Sequence, residues 1–142
     1  MEHINDFKEW RAEEIVKVFL LKSDYKFEIE IFPTKMFDLF VKLKSNPDIK
    51  FAIEVKTKSR FQSRINKQLD ILKTYREAGL INIPVFLIKV DEIEEDSEFD
   101  FLVFPSFQEN KLLIRNDFKF LKLDKENFAT KMKAIEKWYL LK

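Results

Sequence analysis

The run Phe51-Ala52-Ile53-Glu54-Val55-Lys56-Thr57 constrains the fold more than any other stretch of the chain. Successive side chains of a strand point to opposite faces. Phe51, Ala52, Ile53 and Val55 therefore place apolar groups on both faces. A strand of that kind belongs inside a sheet that is covered on both sides. Ile83–Val90 is similarly β-like, with Pro84 near its start. Sheet strands of this character, interleaved with helical stretches, predict an α/β sandwich.

The rest of the chain supplies the other layers. The stretch from about His3 to Lys22 predicts a helix. Ile4, Phe7, Ile15, Val18 and Leu21 fall on one face at ~100° per residue, with Phe19 and Trp10 at its margins. On that wheel Glu9 and Glu13 face outward, and Glu14 lies on the apolar face. Tyr25–Phe32 alternates as a strand and is broken by Pro33-Thr34. Phe37–Lys44 is a second strand, closed by the turn cluster Ser45-Asn46-Pro47-Asp48. Ser63–Ala78 has helical spacing through Ile65, Leu69, Leu72 and Tyr75 or Arg76, and Gly79 sits where a helix stops. Phe101–Phe104 and Lys111–Ile114 are candidate short strands. A last helix, about Asp124–Leu141, carries Phe128, Met132, Ile135 and Trp138 or Tyr139. The order is αβββαβ with additions.

Composition removes whole classes of chemistry. With no cysteine, disulfide frameworks, thiolate zinc sites and cysteine nucleophiles are excluded. A single histidine, His3, argues against histidine-based catalysis and metal cages. A single glycine, Gly79, excludes glycine-rich phosphate loops. Carboxylates, lysines and amides remain, with a hard metal ion as a partner. No run approaches the ~18 apolar residues of a membrane span, and no signal peptide is visible. The expectation is a cytoplasmic protein with no membrane partner. The net charge of +1 hides a polarised distribution. Lys56–Arg76 holds seven basic residues and one acid, whereas Asp91–Asp100 holds seven acids in ten residues. Such polarity could steer an anionic ligand to one side, and it is equally compatible with two solvated segments.

Three polar residues break the apolar pattern. Asp38 opens the second strand. Glu54 and Lys56 lie inside the third and share one of its faces. A tight turn joins the two strands, so they should run antiparallel, and Asp38 can approach Glu54 across the pair. A buried charge is costly unless it is paired or metal-bound. Two carboxylates and an ammonium at one end of a sheet suit phosphodiester hydrolysis. The acids would hold Mg²⁺ or Mn²⁺, and the lysine would orient water and offset transition-state charge. Glu14 could add a metal ligand, and Gln68 could bind water or phosphate. Taken alone, Glu-x-Lys is also an ordinary ion pair, worth under ~1 kcal/mol when exposed.

The stretch Phe37-Asp38-Leu39-Phe40, followed by Phe51-Ala52-Ile53-Glu54-Val55-Lys56-Thr57-Lys58, resembles the PD-(D/E)XK nuclease superfamily. The pattern is most similar to archaeal-type Holliday-junction resolvases and related bacterial nuclease-like domains. It extends from about Glu13 to Val90. The resemblance implies a restriction-endonuclease-like αβββαβ core at about residues 3–90, with a mixed sheet flanked by helices. A C-terminal extension of strands and a helix, about 91–142, would complete one domain. It implies Asp38 and Glu54 as metal-binding acids, Lys56 as the catalytic lysine, and Glu14 or Glu13 as the first-helix acid. DNA is the implied substrate, and a homodimer is compatible with cutting two strands. The residue before Asp38 is Phe37 rather than proline, the preceding loop has no glycine, and the segment after Val90 matches nothing specific.

Lys58, Arg60, Arg64 and Lys67 follow the site and would contact phosphates, or else simply serve solubility. Two other function classes stay open. One is a catalytically inactive nuclease-fold module that binds nucleic acid or a protein. The other is an interaction protein whose acidic Asp91–Asp100 loop docks a basic partner.

Overall fold

The structure, a computed structural model, describes residues 2–31, 37–57, 67, 70–72, 74–75, 77–80, 82–90, 99–103 and 121–141; side chains at 2–9, 99–103 and 121 are not described. The molecule is mixed α/β. Helix α1 (Glu2–Lys22) leads into strands β1 (Phe27–Ile31), β2 (Leu39–Leu43) and β3 (Asn46–Thr57). Strands β4 (Val85–Val90), β5 (Phe99–Val103) and β6 (Leu121–Lys122) follow, and helix α2 (Lys125–Leu140) closes the chain. The described strands form a six-stranded sheet in sequential order. Every pairing is antiparallel except β3 with β4. A parallel pair needs a crossover. Between β3 and β4 the described residues 70–72, 74, 75 and 77 are helical, and the chain turns at Gly79, whose φ is +75°.

The buried run of β3 shows why this strand is central. Phe51, Ala52, Ile53, Glu54 and Val55 are all buried. Phe51, Ile53 and Val55 share one face with Leu39 and Val41 of β2 and Phe86, Ile88 and Val90 of β4. Ala12, Val16 and Leu20 of α1 and Phe128, Met132 and Ile135 of α2 join that cluster, so both helices cover this face. Phe128 sits among the rings of Phe19, Tyr25, Phe27 and Phe86, with centroids 5.5–6.2 Å away. Ala52, Glu54, Val85 and Leu87 alternate to the opposite face and are buried too. The crossover contributes the fully buried Leu72.

Helix α2 is fixed at both ends. The Asp124 carboxylate accepts from the Asn127 backbone N–H at 2.7 Å, an N-cap. Near its C-terminus the Tyr139 hydroxyl donates to the Lys50 carbonyl of β3. Burial pushes that hydroxyl's pKa up to about 12, against the opposing effect of its backbone hydrogen bond. Trp138 and Tyr139 pack against the core, as expected of residues that cap it.

Four details differ from the sequence reading. The buried face of α1 is Ala12, Val16 and Leu20 with Ile15 and Phe19 beside them, while Val18 and Leu21 are exposed. The buried stripe is thus rotated by roughly a third of a turn from the expected one. β3 begins at Asn46, so Asn46, Pro47 and Asp48 belong to an exposed strand start. Pro47 is tolerated there beside a register shift at Lys42/Leu43. Asp100 lies in β5, not in a loop. β6 was not anticipated at all. The expected strand Lys111–Ile114 and the acids at 91–98 lie outside the described residues.

Candidate active site

The β2–β3 register decides whether the acids meet. Leu39 pairs with Ile53, and the Asp38 backbone N–H donates to the Ile53 carbonyl at 3.0 Å. One step further, the Asp38 side chain replaces a ladder acceptor: its Oδ2 accepts from the Val55 N–H at 2.7 Å. The carboxylate is thereby fixed at the mouth of the β2–β3 pair, beside Glu54. Glu54 is 7% exposed and faces Asp38 across the β2–β3 pair, close enough for the Asp38 charge to act on it. Its Oε1 also lies 3.1 Å from Lys56 Nζ. Asp38, Glu54 and Lys56 therefore form one cluster.

The electrostatics of this cluster are unusual for a carboxylate beside a lysine. The Glu54 pKa is pushed up to about 8. Burial is the main cause, and the Asp38 charge and hydrogen bond act in the same direction. Lys56 opposes them through its charge and hydrogen bond without prevailing. Burial and the neighbouring Asp38 charge thus favour the protonated form of Glu54. Lys56 is the cation of this cluster, and a divalent ion bound there would further favour the ionised form of Glu54.

The other expected residues fare differently. Glu14 is half-exposed and pairs with Lys17 at 3.0 Å. At ~100° per residue it lies roughly opposite Val16 on α1. Helix α1 also covers the sheet face that carries Ile53 and Val55, whereas Glu54 and Lys56 belong to the other. Glu14 is thus not brought into the cluster, because the sheet stands between them. Glu13 is half-buried on α1, the helix on that same far face. Among the described residues no group of three acids or histidines is placed to hold a metal ion. Lys67 is an exposed helical residue. Lys58, Arg60, Arg64 and Gln68 lie outside the described residues.

Sequence reading overlooked Lys89. It pairs in register with Lys56 across the parallel β3–β4 ladder, so the two lysines share a face. Lys89 is half-buried in a strand whose other residues are all buried. The signal was available: Val85-Phe86-Leu87-Ile88-Lys89-Val90 is broken by one lysine, as Ile53-Glu54-Val55-Lys56 is broken by its charges.

Two carboxylates and a held ammonium are group types that a hard cation and a phosphate would use. Comparison of the chain with known proteins finds no matching family model, no matching curated protein and no matching solved structure.

Proposed function

We propose that the protein is a metal-dependent phosphodiesterase of the PD-(D/E)XK type, a nuclease acting on DNA. The observation that carries this reading is the contact of Asp38, Glu54 and Lys56 at one end of a two-sided buried strand. The order of α1, an antiparallel β1-β2-β3 meander, a crossover with helical residues and a parallel β4 supports it. Asp38 and Glu54 would hold Mg²⁺ or Mn²⁺, a cation that needs only one or two carboxylates and fills its remaining positions with water and phosphate. When bound, the ion supplies Lewis acidity and lowers the pKa of a water molecule.

The chain's own groups do the rest. The Val55 N–H orients the Asp38 carboxylate, so its direction is set by the backbone ladder. Glu54, in its ionised form, would be the second carboxylate to hold the cation. Lys56, held at 3.1 Å from Glu54, donates to a phosphate oxygen or to the attacking water and offsets developing charge.

The deciding experiment incubates the purified chain with supercoiled, linear, single-stranded and branched DNA and Mg²⁺ or Mn²⁺. The expected result is metal-dependent cleavage by wild type, reduced ~10²–10³-fold in Lys56→Ala with DNA binding retained. No cleavage of any DNA or RNA form by wild type would remove the enzymatic reading. A non-cutting nucleic-acid-binding module of the same fold is the second reading. It is favoured by the absence of a third acid near Asp38 and Glu54 among the described residues.

A further inference from the structure

We propose that the outer edge of β1 is a docking site for an extended basic segment of another protein, which joins the sheet as a further strand. The inference does not depend on the nuclease reading, since β1 supplies none of Asp38, Glu54 and Lys56.

The backbone comes first. β1 ends the strand order, and among the described residues no strand pairs with its outer side. The Lys44 N–H donates to the Lys26 carbonyl at 2.9 Å, and Phe27 pairs with Leu43 at the next position. Residues of an antiparallel strand bond to a given neighbour alternately. Lys26, Glu28 and Glu30 thus bond toward β2, and Phe27, Ile29 and Ile31 turn their N–H and C=O groups outward. Such a row is a template for another strand. Main-chain hydrogen bonds supply the affinity of strand addition, and alternate side chains supply its specificity.

The side chains select the occupant. Glu28, Glu30 and Ile31 are exposed, Ile31 to 80%. Glu28 and Glu30 share the sheet face of Lys42 and Phe40, their partners on β2. Lys42 holds its ammonium over the Phe40 ring, 5.2 Å from the centroid. Among the described residues neither glutamate is in an ion pair.

Opposite charges facing each other across a strand pair stabilise it, and like charges destabilise it. A second copy of β1 is therefore a poor occupant. An antiparallel pairing centred on Glu28, Ile29 or Glu30 sets glutamate opposite glutamate in each case. A segment that alternates lysine or arginine with aliphatic residues fits better. Its basic side chains would meet Glu28 and Glu30, and its aliphatic ones Ile29 and Ile31. The competing assignment is an edge whose charges serve only to keep it unpaired.

Titration of the full chain with short labelled peptides, followed by fluorescence anisotropy, separates the two assignments. A peptide alternating Lys and Val is expected to bind, and added salt to weaken it. A peptide of the same composition with its lysines in one block, and one alternating Glu and Val, should bind several-fold more weakly. Glu28→Lys combined with Glu30→Lys should reverse the preference toward the Glu–Val peptide. Ile31→Pro removes an outward N–H that the β1–β2 ladder does not use, and should weaken binding several-fold. Thermal melting checks that each variant is folded. If Ile31→Pro misfolds, a fully N-methylated Lys–Val peptide takes its place and should not bind. Equal binding of the alternating and block peptides would show attraction of charge without strand pairing and overturn the proposal. A wild-type chain that binds no peptide also overturns it. So does a wild-type dimer, seen by analytical ultracentrifugation, that Ile31→Pro dissociates.

Discussion

At the scale of single residues, the two acids of the cluster have separable duties. Asp38 uses one carboxylate oxygen as a backbone acceptor for the Val55 N–H. Asp38→Asn keeps an amide oxygen for that N–H, so the fold should survive while metal affinity falls. Asp38→Ala leaves the donor orphaned and should cost about 1–3 kcal/mol besides. Chemical denaturation of the two variants, paired with Mn²⁺ titration, tests this; equal stability of Asn and Ala variants would deny Asp38 its ladder role. Glu54 makes a pH prediction. Its folded-state pKa is raised, to about 8, so the folded form holds a proton that the unfolded chain gives up from about 4.5 upward. Stability should therefore decline between about pH 4.5 and pH 8, by an amount on the order of a few kcal/mol. Glu54→Gln, which cannot ionise, should flatten that decline in melting experiments without metal. Added Mg²⁺ should stabilise wild type at pH 8 and have far less effect on Glu54→Gln. A wild-type melting temperature that stays level across this range would show that Glu54 titrates normally.

At the scale of elements, the strands were far more legible than the helix phases. The doubly apolar run of β3 demanded a central strand, and Glu54 and Lys56 stood out because nothing else in that run was charged. Helix α1 was harder, since apolar residues occur around much of its circumference. Val18 and Leu21 are exposed at 46% and 66%, yet their spacing mimics a core stripe. The alternative stripe contains Ala12, a small residue that adds little weight to a hydrophobic count although it is 2% exposed. This phase error also carried Glu14 toward a site that lies across the sheet. β6 was unreadable because a two-residue strand has no period. Helix α2 was clear from Phe128, Met132 and Ile135. Because Phe128 touches four aromatic rings from α1, the α1–β1 turn, β1 and β4, Phe128→Ala should cost about 3–5 kcal/mol. Denaturant unfolding measures this, and a loss below about 1 kcal/mol would mean that the ring cluster is not the keystone of that layer.

At the scale of the whole molecule, charge polarity was visible in the sequence but its spatial outcome was not. The acidic run continues into β5 at Asp100, and only the strand register shows that Lys89 stands between Asp100 and Lys56. No helix among the described residues is long and apolar enough to cross a membrane. The sheet mixes two kinds of neighbour. β1, β2 and β3 are joined in sequence and pair antiparallel, while β3 and β4 are separated by the crossover. That difference sets an order of assembly in time. Pairing the meander closes short loops, whereas docking β4 must first overcome the entropy of a much longer one. Asp38 and Glu54 both belong to the early half, and Lys89 joins only when the crossover closes. Val41→Ala in β2 should therefore slow refolding, and Val85→Ala in β4 should chiefly speed unfolding; both positions are fully buried. Stopped-flow chevrons would show the reverse if β4 led. The acid pair and its own cation, Lys56, would thus be assembled in the meander, and the second lysine of that row would be added only when the parallel strand docks.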